Sequence, residues 1–192
     1  TGKYALAAGV NAGAKGENAT AVGYNAKANG SSSVALGNGA SAHGNRNIAI
    51  GASSYTGSGT GLMAIGYGAS NSASHSAIAM GSAKINSGGI NSIAISPFET
   101  AGVHSAVTDS DGTFAIGNQA IIKHSSAGAQ AIGRGATVFR SSGGAVALGQ
   151  SALASGVGAV AIGGSPEVTT GYSLPRKNSA MALANESLAL SS

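Results

Sequence analysis

Residues 31–51, "SSSVALGNGASAHGNRNIAIG", state one phrase twice. Val34-Ala35-Leu36-Gly37 returns fourteen residues later as Ile48-Ala49-Ile50-Gly51. The phrase is a large apolar residue, an alanine, a second apolar residue and a glycine. It recurs along the chain as Met63-Ala64-Ile65-Gly66, Ile78-Ala79-Met80-Gly81, Phe114-Ala115-Ile116-Gly117, Val146-Ala147-Leu148-Gly149 and Val160-Ala161-Ile162-Gly163. With weaker copies there are about thirteen such anchors, the signature of a repeat architecture.

The step between anchors is fourteen to sixteen residues in most places, and only seven at the end, from Ala182 to Ala189. The short step marks the unit as two halves of about seven residues. The second half has its own phrase, as in Gly37-Asn38-Gly39-Ala40-Ser41-Ala42. Large residues at i and i+2 are a strand period. A glycine every half-unit opposes helix and favours turns, where a positive φ is free of strain. Two short strands and two turns then make one coil of a parallel β-solenoid, each coil about 4.8 Å above the last. The expected fold is all-β, a column of coils of 14–16 residues with two short strands each, in one domain over residues 1–192.

The facing of the side chains is the harder question. Burying the large pair is the simplest reading: Val34 and Leu36 inside, against the small pair Ala40 and Ala42 of the opposite half, so that large meets small without voids. Polar residues between the small pair, such as Lys27, Ser41, Lys84 and Thr137, then point outward. On this reading the middle alanine also faces outward. A position held to alanine on a surface implies a close neighbour, and the expected seam between chains runs through Ala35, Ala49, Ala64, Ala79, Ala94, Ala115, Ala131, Ala147 and Ala161. A thin column has a poor core, and association of identical chains compensates for that.

Composition limits the alternatives. The chain has 192 residues, 32 of them glycine, only 8% charged, with no Cys and no Trp. Absent Cys excludes disulfides and Cys-based metal sites. The net charge of +4 comes from basic residues scattered singly, apart from Arg176-Lys177, whereas a nucleic-acid groove clusters them with aromatics. No apolar run is long enough for a membrane-spanning helix. The sequence begins inside the repeat and reads as a fragment of a longer chain. Nothing pairs an acid with a base for catalysis, and no cofactor or metal is expected. The nearest enzyme class, the left-handed β-helix acyltransferases, uses six-residue faces and three faces per coil, which the seven-residue halves do not match.

The serial phrases "SVALGNGASA", "NIAIGASS", "LMAIGYGAS" and "AVALGQSALASG" resemble the head repeats of the trimeric autotransporter adhesins, the YadA-like family of Gram-negative bacteria. The resemblance covers nearly the whole chain. It implies a left-handed parallel β-roll assembled as a homotrimer. It also implies display on the bacterial surface through an outer-membrane anchor beyond this fragment, and binding of collagen, fibronectin, laminin or host cells. In such heads a phrase like Asn-Ser-Val-Ala-Ile-Gly has been linked to collagen. The nearest match is Asn91-Ser92-Ile93-Ala94-Ile95-Ser96, with Ile93 and Ile95 expected inside, shaping the site rather than touching a ligand. The alternative within the same fold is a structural trimeric fibre segment with no ligand of its own.

Two long steps interrupt the repeat, near residues 97–113 and 164–178. Insertions in solenoids map to surface loops and often to binding faces, so Arg176 and Lys177 join the candidate ligand-binding residues. Three lesser signals read as ordinary structure. Asp109-Ser110-Asp111-Gly112 lacks the further oxygen ligands of a calcium loop. Gly57-Ser58-Gly59-Thr60-Gly61 lacks the Lys-Ser/Thr of a phosphate loop. His43, His75, His104 and His124 are spread along the axis, where an exposed or loop position is the ordinary one.

Overall fold

The computed structural model describes residues 1–97 and 110–164, together with the backbone of the strands Ala106–Val107, Glu167–Thr170, Met181–Leu183 and Leu188–Ser191. The chain winds into two parallel sheets of twelve strands, each pairing only with its own kind one coil above and below. One, the anchor sheet, holds the repeated phrase, for example Thr20–Val22, Val34–Leu36 and Ile48–Ile50. The other, the facing sheet, holds the second halves, for example Lys27–Ala28, Ser41–Ala42 and Tyr55–Thr56. Register follows the repeat: Ala21 pairs with Ala35, and Ala35 with Ala49. The final seven-residue step is a change of sheet. Leu188–Ser191 pairs with Glu167–Thr170 in the facing sheet, so the last of the anchor-like phrases is a second half.

The turn after each anchor strand explains the recurring glycine. Gly37 has φ 130°, a region closed to other residues, and an added Cβ would lie 2.7 Å from the Gly51 carbonyl oxygen one coil away. The Ala40 amide then donates back to Gly37 O, closing a tight reversal. This reversal brings the two strands close together, and the closeness settles the facing. Ala35, Ala49, Ala64, Ala79, Ala94, Ala115, Ala131, Ala147 and Ala161 are all 0% exposed within the single chain. Val34 and Leu36, which alternation sends the other way, lie on the outer face and are half-buried. The expectation of large residues inside and alanines outside is therefore inverted. At the middle of the anchor strand the gap between the sheets is filled by a methyl group, and larger inward side chains such as Leu62, Ile85 and Val138 stand at the flanking positions of the longer coils.

The facing half behaves as expected. Ala40 and Ala42 are buried, as are the pairs Ala83/Ile85, Ala120/Ile122 and Ala136/Val138, while Ser41 and Lys84 point outward. The residue before each anchor is a further inward position that the sequence reading did not single out. Ser33, Asn47, Leu62, Ser92 and Thr113 all sit there, buried. A coil interior thus consists of four side chains, such as Ala145, Ala147, Ala152 and Ala154.

Coil length and interior volume are linked. Coils that repeat after fourteen residues carry alanine at the second facing position: Ala28, Ala42 and Ala154. Coils that repeat after fifteen or sixteen carry Thr56, Asn71, Ile85, Ile122 or Val138 there. The extra residue widens the following turn, and the larger side chain fills the space that opens. Polar plugs satisfy the backbone groups that the wider turns set free. Asn71 Nδ2 donates to Ala77 O at 2.6 Å and Met63 O at 3.0 Å, and its Oδ1 accepts from the Ala73 amide at 3.2 Å. In the sixteen-residue coils a serine ladder takes this role. The Ser126 amide donates to Ser110 Oγ at 2.8 Å, the Ser142 amide to Ser126 Oγ at 3.2 Å, and the Gly156 amide to Ser142 Oγ at 2.8 Å.

Candidate functional site

The inverted facing creates the most distinctive surface of the molecule. Outward from the anchor sheet run two columns of large apolar side chains. In one, Val34, Ile48, Met63 and Ile78 stack in register; in the other, Leu36, Ile50, Ile65 and Met80. Stacking covers their flanks, so most are half-buried, but their tips are open: Leu6 is 55% exposed, Met80 38% and Phe114 39%. Both columns continue to Val160 and Ile162. A contiguous apolar surface of this extent marks an interaction site rather than ordinary solvent-facing protein. The candidate seam thus leaves the alanines, which a partner cannot reach, and falls on the residues that flank them.

The outer face of the facing sheet has the opposite character. Lys27, Ser41, Tyr55, Ser70 and Lys84 form one outward column. His43 stands beside Tyr55 with ring centroids 5.3 Å apart, and its Nδ1 lies 3.2 Å from Thr56 O. Lys123 Nζ sits 4.3 Å from the centre of the Phe139 ring, a cation–π contact on the same side of the coil. Tyr24 and Tyr67 project from the turns that follow the anchor strands. One broad side of the solenoid is therefore aliphatic, and the other is more polar and weakly basic, with Ile121 and Leu153 as aliphatic members of its outward column.

The phrase Asn91–Ser96 is divided by this geometry. Asn91 is exposed in a turn with φ 53°. Ser92, Ala94 and Ser96 are buried. Ile93 and Ile95, expected inside, lie instead on the two apolar columns. Ser92 is a structural hub: its Oγ accepts from Thr113 Oγ1 at 2.9 Å and from the Thr113 amide at 3.1 Å, and donates to Ser110 O at 3.2 Å. Arg176 and Lys177 lie outside the described residues, as do most of both insertions and His104.

His43, His75 and His124 are exposed and well separated along the chain. Among the described residues no three His, Cys, Asp or Glu side chains gather as metal ligands. Gly57–Gly61 is a turn, its Gly57 carbonyl taken by the Asn47 side chain at 2.9 Å. Asp111 is exposed, and its carbonyl accepts the Gly128 amide. Among the described residues no helix is long and apolar enough to cross a membrane.

The sequence reading missed the apolar face because it placed those residues inside. The signal that finds it is the invariance of the middle residue as alanine, the mark of a space limit rather than of a contact.

A stack of parallel coils with no helix among the described residues, a largely alanine interior and an apolar outer stripe defines a β-solenoid. The model of the YadA head domain repeat matches residues 1–26, 28–54 and 141–165, and these matches support a YadA-like head domain of a trimeric autotransporter adhesin. Family and fold are those of adhesin-like structures rather than enzymes. No curated protein matches the chain.

Proposed function

We propose that residues 1–192 form one adhesin head at the surface of a Gram-negative bacterium, assembled as a homotrimer and carried by an outer-membrane anchor elsewhere in the full chain. The observation that carries the reading is the pair of apolar columns. Three copies packed around a common axis cover these columns on one another, and each large side chain moved from water contributes roughly 25 cal/mol per Å² of apolar area. The facing sheets then point outward on all three sides, with Tyr24 and Tyr67 projecting from two of the turns.

Such a surface has no deep pocket. It suits adhesion by many weak contacts to a long or repeated partner, because multivalency adds them. Host matrix proteins (collagen, fibronectin, laminin) and cell surfaces have that character. Asn91, exposed at its turn, and the pair Arg176-Lys177 remain the residues proposed to touch a ligand.

Sedimentation equilibrium tests the assembly: three chains are expected, and a stable monomer contradicts it. A solid-phase panel of collagen, fibronectin, laminin and host cells tests adhesion. Saturable binding to at least one is expected. A trimer that binds none of them is the spacer segment of a fibre instead.

A further inference from the structure

The two apolar columns raise a problem of register. A face that repeats at every coil looks the same after a slide of one coil, about 4.8 Å. Aliphatic contacts alone do not choose among such positions, because burial is non-directional. One residue breaks the translation. Gln130 occupies the first column between Phe114 and Val146, where its neighbours are large and apolar. It is half-buried, and its backbone amide is spent on Ala145 O. Among the described residues its side-chain amide makes no hydrogen bond within the chain, unlike Asn47 and Asn71, whose amides both donate and accept. In the same column the only other polar position among the described residues is Thr20, near the opposite end.

We propose that Gln130 fixes the axial register of the assembled chains, its ligand being the Gln130 of each sister copy. The inference rests on the trimer reading above. A carboxamide carries both donor and acceptor. Around a three-fold axis each Nε2 donates to the Oε1 of the next copy, and the ring closes only when all three chains stand level. Slid by one coil, the amide meets Phe114 or Val146 and is covered without a partner, which is unfavourable. A single polar residue in an otherwise apolar seam sets register and partner number in coiled coils for the same reason.

The test uses charge at this position in the whole chain. Chains carrying Gln130→Glu and Gln130→Lys, with tags of different mass, are co-expressed and their trimers counted by native mass spectrometry. Mixed trimers are expected to exceed the statistical proportion by about tenfold, since opposite charges meet and like charges part. As the position control, Gln130→Glu is paired with a chain carrying Ile48→Lys, in the same column but several coils away and beyond a Debye length, and mixing at the statistical proportion is expected. Statistical mixing of the first pair overturns the proposal, and so does equal enrichment of the second. Gln130→Val guards against misfolding, since the column already holds valine at 146 and 160, and it is expected to remain a folded trimer. If the wild-type chain sediments as a monomer, the trimer reading fails and the proposal with it. A wild-type trimer with statistical mixing refutes the register assignment alone.

Discussion

Asn47 and Leu62 are joined inside the solenoid: the Leu62 amide donates to Asn47 Oδ1 at 2.9 Å, across fifteen residues of chain. The same side chain donates from Nδ2 to Gly57 O at 2.9 Å. One buried carboxamide thus closes both ends of the turn that lengthens this coil beyond fourteen residues. Replacing it leaves the buried Leu62 amide bare, at about 1–3 kcal/mol, while Gly57 O keeps the Gly44 amide at 3.0 Å. Asn47→Ala is expected to destabilise the chain by roughly 1–3 kcal/mol. Urea unfolding followed by circular dichroism checks this, and a loss under about 0.5 kcal/mol contradicts the role given to Asn47.

Ser126 occupies the middle of the serine ladder. Its Oγ accepts the Ser142 amide at 3.2 Å and donates to Phe139 O at 2.7 Å. Ser126→Ala is expected to cost about 1–3 kcal/mol. Amide exchange should also localise the effect, because coils of a solenoid contact only their neighbours. Protection is expected to fall first around Ser142 and to persist around Ala35. Uniform loss along the whole column argues against it.

Thr56 gives the opposite expectation. Its hydroxyl is buried with no hydrogen-bond partner. Thr56→Val keeps the shape and removes the unpaired group, so the chain is expected to keep its stability or gain about 1 kcal/mol. Clear destabilisation in a thermal melt points to a partner for that oxygen.

The inverted facing predicts different consequences for two adjacent residues. Ala35 fills a space sized for a methyl group, so Ala35→Leu is expected to overpack the interior and destabilise the fold by about 1–3 kcal/mol or more. Leu36 stands on the outer column, and Leu36→Asp is expected to leave the coil folded while weakening association. Sedimentation and circular dichroism, measured on both variants, separate the two effects. A folded, trimeric Ala35→Leu chain beside an unfolded Leu36→Asp chain restores the original facing.

Much of the fold was legible in the residues. The fourteen-residue return gave the coil, the i, i+2 spacing gave strands, the glycines gave turns, and the final seven-residue step gave the two halves. The link between coil length and the residue at positions such as Ala42 and Ile85 is also written there. The candidate site was less legible. Asn91-Ser-Ile-Ala-Ile-Ser was visible as a phrase, but nothing in it said that Ser92 binds Thr113 while Ile93 looks out. Nor does the spelling of Gln130-Ala131-Ile132 reveal an unpaired amide; it becomes conspicuous only once its neighbours are known to form an apolar face.

The sequence by itself determined the period, the parallel stacking and which residues share a face, because alternation along a strand is a local property of the backbone. It did not determine which face lies inside. Both sets of anchor residues are apolar, so hydrophobicity alone favours the larger set for the interior. Only the tertiary structure decided it: the reversal at Gly37 and its equivalents holds the two sheets so close at the middle of the anchor strand that alanine stands there, and larger inward residues such as Ile85 and Val138 are found only in the longer coils. The large residues are left outside, where a second copy of the chain can cover them.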